Sequence, residues 1–122
     1  MVQTDISQLT AETSEWRHIL RNYKQEFQDG KKALLEVCRN SLSKDQLQNV
    51  EHFHNQFHIQ LINIHDLKQN IKQHERKIDN AENISEEVYS EHEQLLSEFI
   101  SLETVLQELR ADFKNFISQI SC

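Results

Sequence analysis

Residues 50–78 read VEHFHNQFHIQLINIHDLKQNIKQHERKI, and the spacing of the apolar residues in this stretch decides the fold class. Val50, Phe53, Phe57, Ile64, Leu67, Ile71 and Ile78 recur at steps of three, four or seven, which puts all of them on one stripe of an α-helix. The same rhythm runs upstream through Ile6, Leu9, Trp16, Leu20, Tyr23, Phe27, Leu34 and Val37. Downstream it returns in Val88, Leu95, Phe99, Leu102, Leu106, Leu109, Phe113, Phe116 and Ile120. Stripes of this kind must bury against other helices. The expected fold is therefore all-α, an antiparallel up-down-up three-helix bundle with coiled-coil (heptad) packing.

Composition agrees with that reading. The 122 residues contain no proline and one glycine, so the residues that punctuate sheets are missing, and no segment alternates with a period of two. A chain of this length is expected to form one domain, residues 1–122, around one continuous core. The net charge of −7 and an apolar content of 37% lean toward disorder, but a disordered chain does not keep apolar residues in register over its whole length.

Capping chemistry marks the helix ends. Ser43-Lys44-Asp45-Gln46 has the capping-box pattern, in which the serine hydroxyl and the glutamine side chain satisfy backbone N–H groups at a helix start, and Leu42 and Leu47 occupy the positions of a hydrophobic staple around it. Asp79-Asn80-Ala81-Glu82-Asn83-Ile84-Ser85-Glu86 is a second boundary, with Asn83 or Ser85 as the cap. The predicted helices span residues 5–40, 44–80 and 84–121. The stripe also continues through Ala81 and Ser85 into Val88 without a skip, so one unbroken helix of about 75 residues, completed only in a dimer, is the competing arrangement at ~1.5 Å rise per residue. Near-equal spans favour the closed bundle. Gly30 falls on the inward stripe, and a turn near residue 42 sets it opposite Phe57, where a missing side chain admits the ring.

Charge and histidine content narrow the function classes. A net charge of −7 argues against nucleic acid as a partner, since phosphates would be repelled. Residues 84–122 carry eight Asp or Glu against two Lys or Arg, and the acidic residues gathered near the start of the third helix suit the helix dipole. No stretch approaches the ~20 apolar residues of a membrane span, and the Met-Val-Gln-Thr-Asp start lacks the character of a secretion signal. A cytoplasmic location is expected. Cys38 and Cys122 have neither metal-ligand spacing nor the number for a disulfide framework; both are expected reduced, near the same end of the bundle.

Five of the seven histidines, His52, His54, His58, His65 and His74, lie on the second helix. His54 and His58 are four apart and share a face, where Glu51 is a third candidate ligand for a metal ion. His74 and His92 instead occupy the apolar stripes themselves. Folding the helices about turns near residues 42 and 82 brings both to one level together with Thr13, a polar core layer of Thr13, His74 and His92 whose usual work is to specify register. No phosphate loop, nucleophile elbow, CxxC or HExxH pattern is present, and no cofactor is expected.

Three antiparallel helices of this length with Trp16 in the middle of the first resemble the layout of a spectrin repeat or of the N-terminal regulatory bundle of syntaxins. The resemblance is architectural, rests on Trp16 and the heptads, and implies the bundle fold without a function. The expected role is a non-enzymatic helical interaction or scaffold module that self-associates, as a dimer, through Leu61, Ile62, Leu96, Ile100, Val105 and Ile117 beside the stripes; its protein partner is unspecified. The alternative is a histidine-rich bundle that binds a metal ion or small ligand.

Overall fold

A computed structural model describes the backbone of residues 2–121 and the side chains of residues 6–120. Three helices account for nearly all of it: α1 (Val2–Val37), α2 (Lys44–Asn80) and α3 (Glu86–Ser121). Each forms because its sequence supplies an apolar stripe and no internal proline. On α2 the buried residues are Val50, Phe53, Phe57, Gln60, Ile64, Leu67, Ile71, His74 and Ile78, the stripe read from the sequence with Gln60 and His74 filling the two steps that have no apolar residue.

Cross-helix pairs give the topology. As α1 advances from Thr13 to Gly30, its partners on α2 run back from Glu75 to Phe57, so the two helices are antiparallel. As α2 advances from Phe53 to His74, its partners on α3 run back from Phe116 to His92. Glu12 faces His92 and Glu26 faces Arg110, so α1 and α3 run parallel. This is the up-down-up bundle. Helix α2 lies between the other two and touches both extensively, whereas α1 and α3 meet along a thinner seam.

The ends of the helices follow local chemistry. Ser43 caps α2: its hydroxyl accepts from Gln46 N–H at 3.1 Å and the Gln46 side chain accepts from Ser43 N–H at 2.8 Å, and Leu42 packs against the core. At the second boundary Ser85 is the cap, its hydroxyl accepting from Val88 N–H at 3.2 Å. Ala81, with φ −86° and ψ 134°, leaves helical geometry and excludes the unbroken long helix. Three predicted bounds shift, the first being the start of α1, which lies at Val2 rather than at residue 5. Helix α1 stops at Val37 because Arg39 and Asn40 bond back three residues, to Glu36 and Val37, tightening the last turn. Helix α3 starts at Glu86, after its cap.

Gly30 lies against the Phe57 ring, in a cluster with Phe27, Phe53, Phe113 and Phe116, as the stripe predicts. Helix α1 runs through it unbroken. Cys38 is an exposed free thiol; Cys122 and its expected proximity to Cys38 lie outside the described residues. Among the described residues no helix is long and apolar enough to cross a membrane.

Candidate functional site

The polar residues that sequence puts on the apolar stripes are buried in the structure: Thr13, His74 and His92. The antiparallel return of α2 brings Glu75 to Thr13, and the return of α3 brings His92 to His74. The two histidines bond directly, His92 Nδ1 lying 3.0 Å from His74 Nε2. Thr13 stands at the same level but bonds elsewhere, its hydroxyl donating to Glu75 Oε2 at 3.0 Å or to its own helix at Thr10 O, 3.1 Å away. Arg17 completes that side, with Nε 2.8 Å from Glu75 Oε1.

Protonation along the layer is dictated from one end. Glu91 accepts from Lys77 Nζ at 2.7 Å and faces His74 Nδ1 at 2.7 Å. The Lys77 hydrogen bond, helped by His74, holds its carboxyl below the usual range, so it is ionised and only accepts. The proton between them is therefore on His74 Nδ1. In a neutral ring His74 Nε2 must then accept, and the proton of the next bond belongs to His92 Nδ1. That leaves a bare lone pair on His92 Nε2. This atom is buried and has no hydrogen-bond partner among the described residues; the nearest polar group is the Glu12 carboxylate, with Oε1 at 3.6 Å.

Burial also holds the His92 pKa below the ordinary value, against the pull of Glu12 and with the help of His74. The ring is covered on one face by Trp16, with centroids 4.8 Å apart, and Trp16 in turn stacks on Phe99 at 5.9 Å. Desolvation disfavours the imidazolium, and a neighbouring imidazole adds to that. The layer is thus a line of a carboxylate, two directly bonded imidazoles and a second carboxylate, with His92 Nε2 left without a hydrogen bond near its α1 end.

The other predicted ligands are not brought together. Glu51, His54 and His58 are exposed on α2, and among the described residues no group of three His, Cys, Asp or Glu side chains is placed to hold a metal ion. The reason is geometric: that flank of α2 faces outward, and no second helix supplies a ligand there. Sequence reading missed Glu12, Glu75, Glu91, Lys77 and Arg17, each beside a stripe rather than on it. It also passed over Gln60, buried at a stripe position and accepting from Asn63 at 3.1 Å; its seven-residue gap between Phe57 and Ile64 was the available signal.

Of the apolar residues beside the stripes, Leu61 and Ile117 pack against the core. Ile62, Leu96, Ile100 and Val105 are exposed. Compared with known protein families, curated proteins and solved structures, the chain matches none.

Proposed function

We propose that the chain is a non-enzymatic helical interaction module that self-associates through the side where α1 and α3 run alongside each other. The observation that carries this reading is a strip on α3. Tyr89, Leu96 and Ile100 follow at seven and four residues and so share one flank, and Leu96 and Ile100 remain 36% and 54% exposed after the bundle closes. Tyr89 and Leu96 border a pocket whose opposite wall is α1, which puts the strip beside the thin seam of the bundle. Exposed apolar side chains lined up along one helix are what a second copy of the same surface covers, and a two-fold arrangement makes the contact self-complementary.

Sedimentation equilibrium tests the reading. The expected result is a dimer for the wild type and a shift to monomer for Ile100→Gln and for Leu96→Gln with Ile100→Gln. Because both side chains are at least one-third exposed, these substitutions leave the fold intact. A wild-type chain that stays monomeric at every accessible concentration would refute self-association.

A further inference from the structure

The unfilled acceptor of the histidine layer opens a second question. His92 borders a pocket of about 230 Å3 between α1 and α3, whose walls include Leu9, Glu12, Tyr89, Glu93 and Leu96. Two features of it point to a ligand independently. Glu12 and Glu93 place two carboxylates at its edge, from different helices. His92, only 5% exposed, contributes Nε2, which makes no hydrogen bond among the described residues and meets only the Glu12 carboxylate, at 3.6 Å. A buried acceptor left unpaired is costly, and beside a carboxylate it calls for a donor that is also a cation.

We propose that this pocket binds a primary alkylammonium group, whose nitrogen donates to His92 Nε2, Glu12 and Glu93 while its alkyl stem lies against Leu9 and Leu96. The geometry selects that chemistry. His92 Nε2 and Glu12 Oε1 are 3.6 Å apart, so one nitrogen at ordinary hydrogen-bond distances of roughly 2.8–2.9 Å reaches both. An ammonium carries three N–H donors, matching the three acceptors. A guanidinium is a planar fork suited to a single carboxylate face, and a quaternary ammonium has no donor to offer the ring. The Glu12 side chain is about one-third exposed and its contact with the ring is long, 3.6 Å from Nε2, so a small turn of the carboxylate admits the ammonium to Nε2 while keeping an oxygen within its reach.

Neutrality of His92 is part of the site. The protonated ring donates from Nε2 and displaces the ligand, so binding and protonation compete at one atom. The same ammonium chemistry comes either from a lysine side chain of a protein partner or from a free alkylamine.

Trp16, the single tryptophan, has its ring 4.8 Å from that of His92 and reports on the site directly. The experiment is a fluorescence titration at pH 7.5 and constant ionic strength with butylammonium, the amide of Nα-acetyl-lysine, butylguanidinium and tetramethylammonium. A saturable Trp16 response to butylammonium is expected, about tenfold weaker in Glu12→Gln and in Glu93→Gln, and weaker again as pH falls and His92 takes up its proton. Binding of the lysine amide alongside butylammonium identifies a protein-borne lysine as the source; binding of butylammonium alone identifies a free amine. An equal response to tetramethylammonium, tighter binding of butylguanidinium, or unchanged affinity in both glutamine variants would overturn the proposal. The pocket shares Tyr89 and Leu96 with the self-association strip but not Ile100, so Ile100→Gln, monomeric on that reading, is expected to bind butylammonium at least as tightly as the wild type.

Discussion

Replacing Gly30 by alanine sets two opposed effects against each other at one atom. In a helix interior alanine is favoured over glycine by about 1 kcal/mol, and Gly30 lies well inside α1. A Cβ built there, however, comes 2.9 Å from Phe57 Cζ, 3.0 Å from Phe57 Cε2 and 3.6 Å from Phe113 Cε2. The first two approaches are closer than carbon atoms tolerate. The Phe57 ring must therefore move, and its surroundings resist: it is 1% exposed, edge-on to Phe113 with centroids 4.8 Å apart and 5.2 Å from Phe27. One direction is open, toward a cavity of about 320 Å3 bordered by Phe27, Gly30, Phe57 and Phe113, so the ring shifts rather than forcing the helices apart. Overpacking of this kind costs about 1–3 kcal/mol. Subtracting the helical gain leaves Gly30→Ala about 1 kcal/mol less stable than wild type. Urea denaturation measures this, and Phe57→Leu supplies the control: in that background the clash is gone and Gly30→Ala is expected to be neutral or stabilising, a coupling of about 1–2 kcal/mol in a double-mutant cycle. A Gly30→Ala chain at least as stable as wild type, or the absence of coupling, would mean that the ring is not confined as the packing implies.

The histidine layer predicts a pH dependence whose sign follows from His92. Its folded pKa lies below the ordinary value, so as pH falls through ~6.5 the unfolded chain takes up a proton that the folded chain does not; stability is full above that pH and declines below it, by at most about 1.4 kcal/mol per pH unit for one group. His74→Leu with His92→Leu is expected to flatten the decline in denaturation curves between pH 7.5 and about pH 5, and parallel curves for the two proteins would contradict it. Glu91 acts in a lower window: its folded pKa is also depressed, so its contribution is present above the ordinary carboxylate value and is lost as pH falls through the folded one, which the same series extended to lower pH would show as a second decline absent from Glu91→Gln. Ser43→Ala removes one half of the capping box and is expected to cost about 1 kcal/mol, read as a lower urea midpoint with an unchanged m-value.

Much of this molecule is legible along the chain because the relevant physics is local. The capping box needs four contiguous residues, Ser43 to Gln46, and forms as those residues prescribe. The apolar stripes need only helical periodicity, and His74 and His92 stand out because they interrupt stripes whose neighbours are apolar. The boundary at 81–85 is harder, since the periodicity passes through it; the stop depends on Ala81 leaving helical geometry and Ser85 taking the cap. The metal set of Glu51, His54 and His58 illustrates the opposite difficulty. A shared helical face is a local fact, but a metal site also needs ligands from elsewhere, and nothing packs on that flank.

Legible along the chain alone, therefore, are the helical stripes, their inward faces and the places of Thr13, His74 and His92 on them, while the break at Ala81 needed the structure. Tertiary structure alone decided the flanks: that Glu91 and Lys77 fix the tautomer of His74, that Glu12 faces His92 Nε2 without bonding to it, that Gln60 is covered, and that Leu61 and Ile117 are absorbed while Leu96 and Ile100 stay exposed. A residue at the centre of a stripe is buried however the helices cross. One at the edge is covered or left open by the distance and tilt of its neighbour, which the whole set of packed side chains settles together, and in this bundle α1 and α3 are held farther apart than either is from α2.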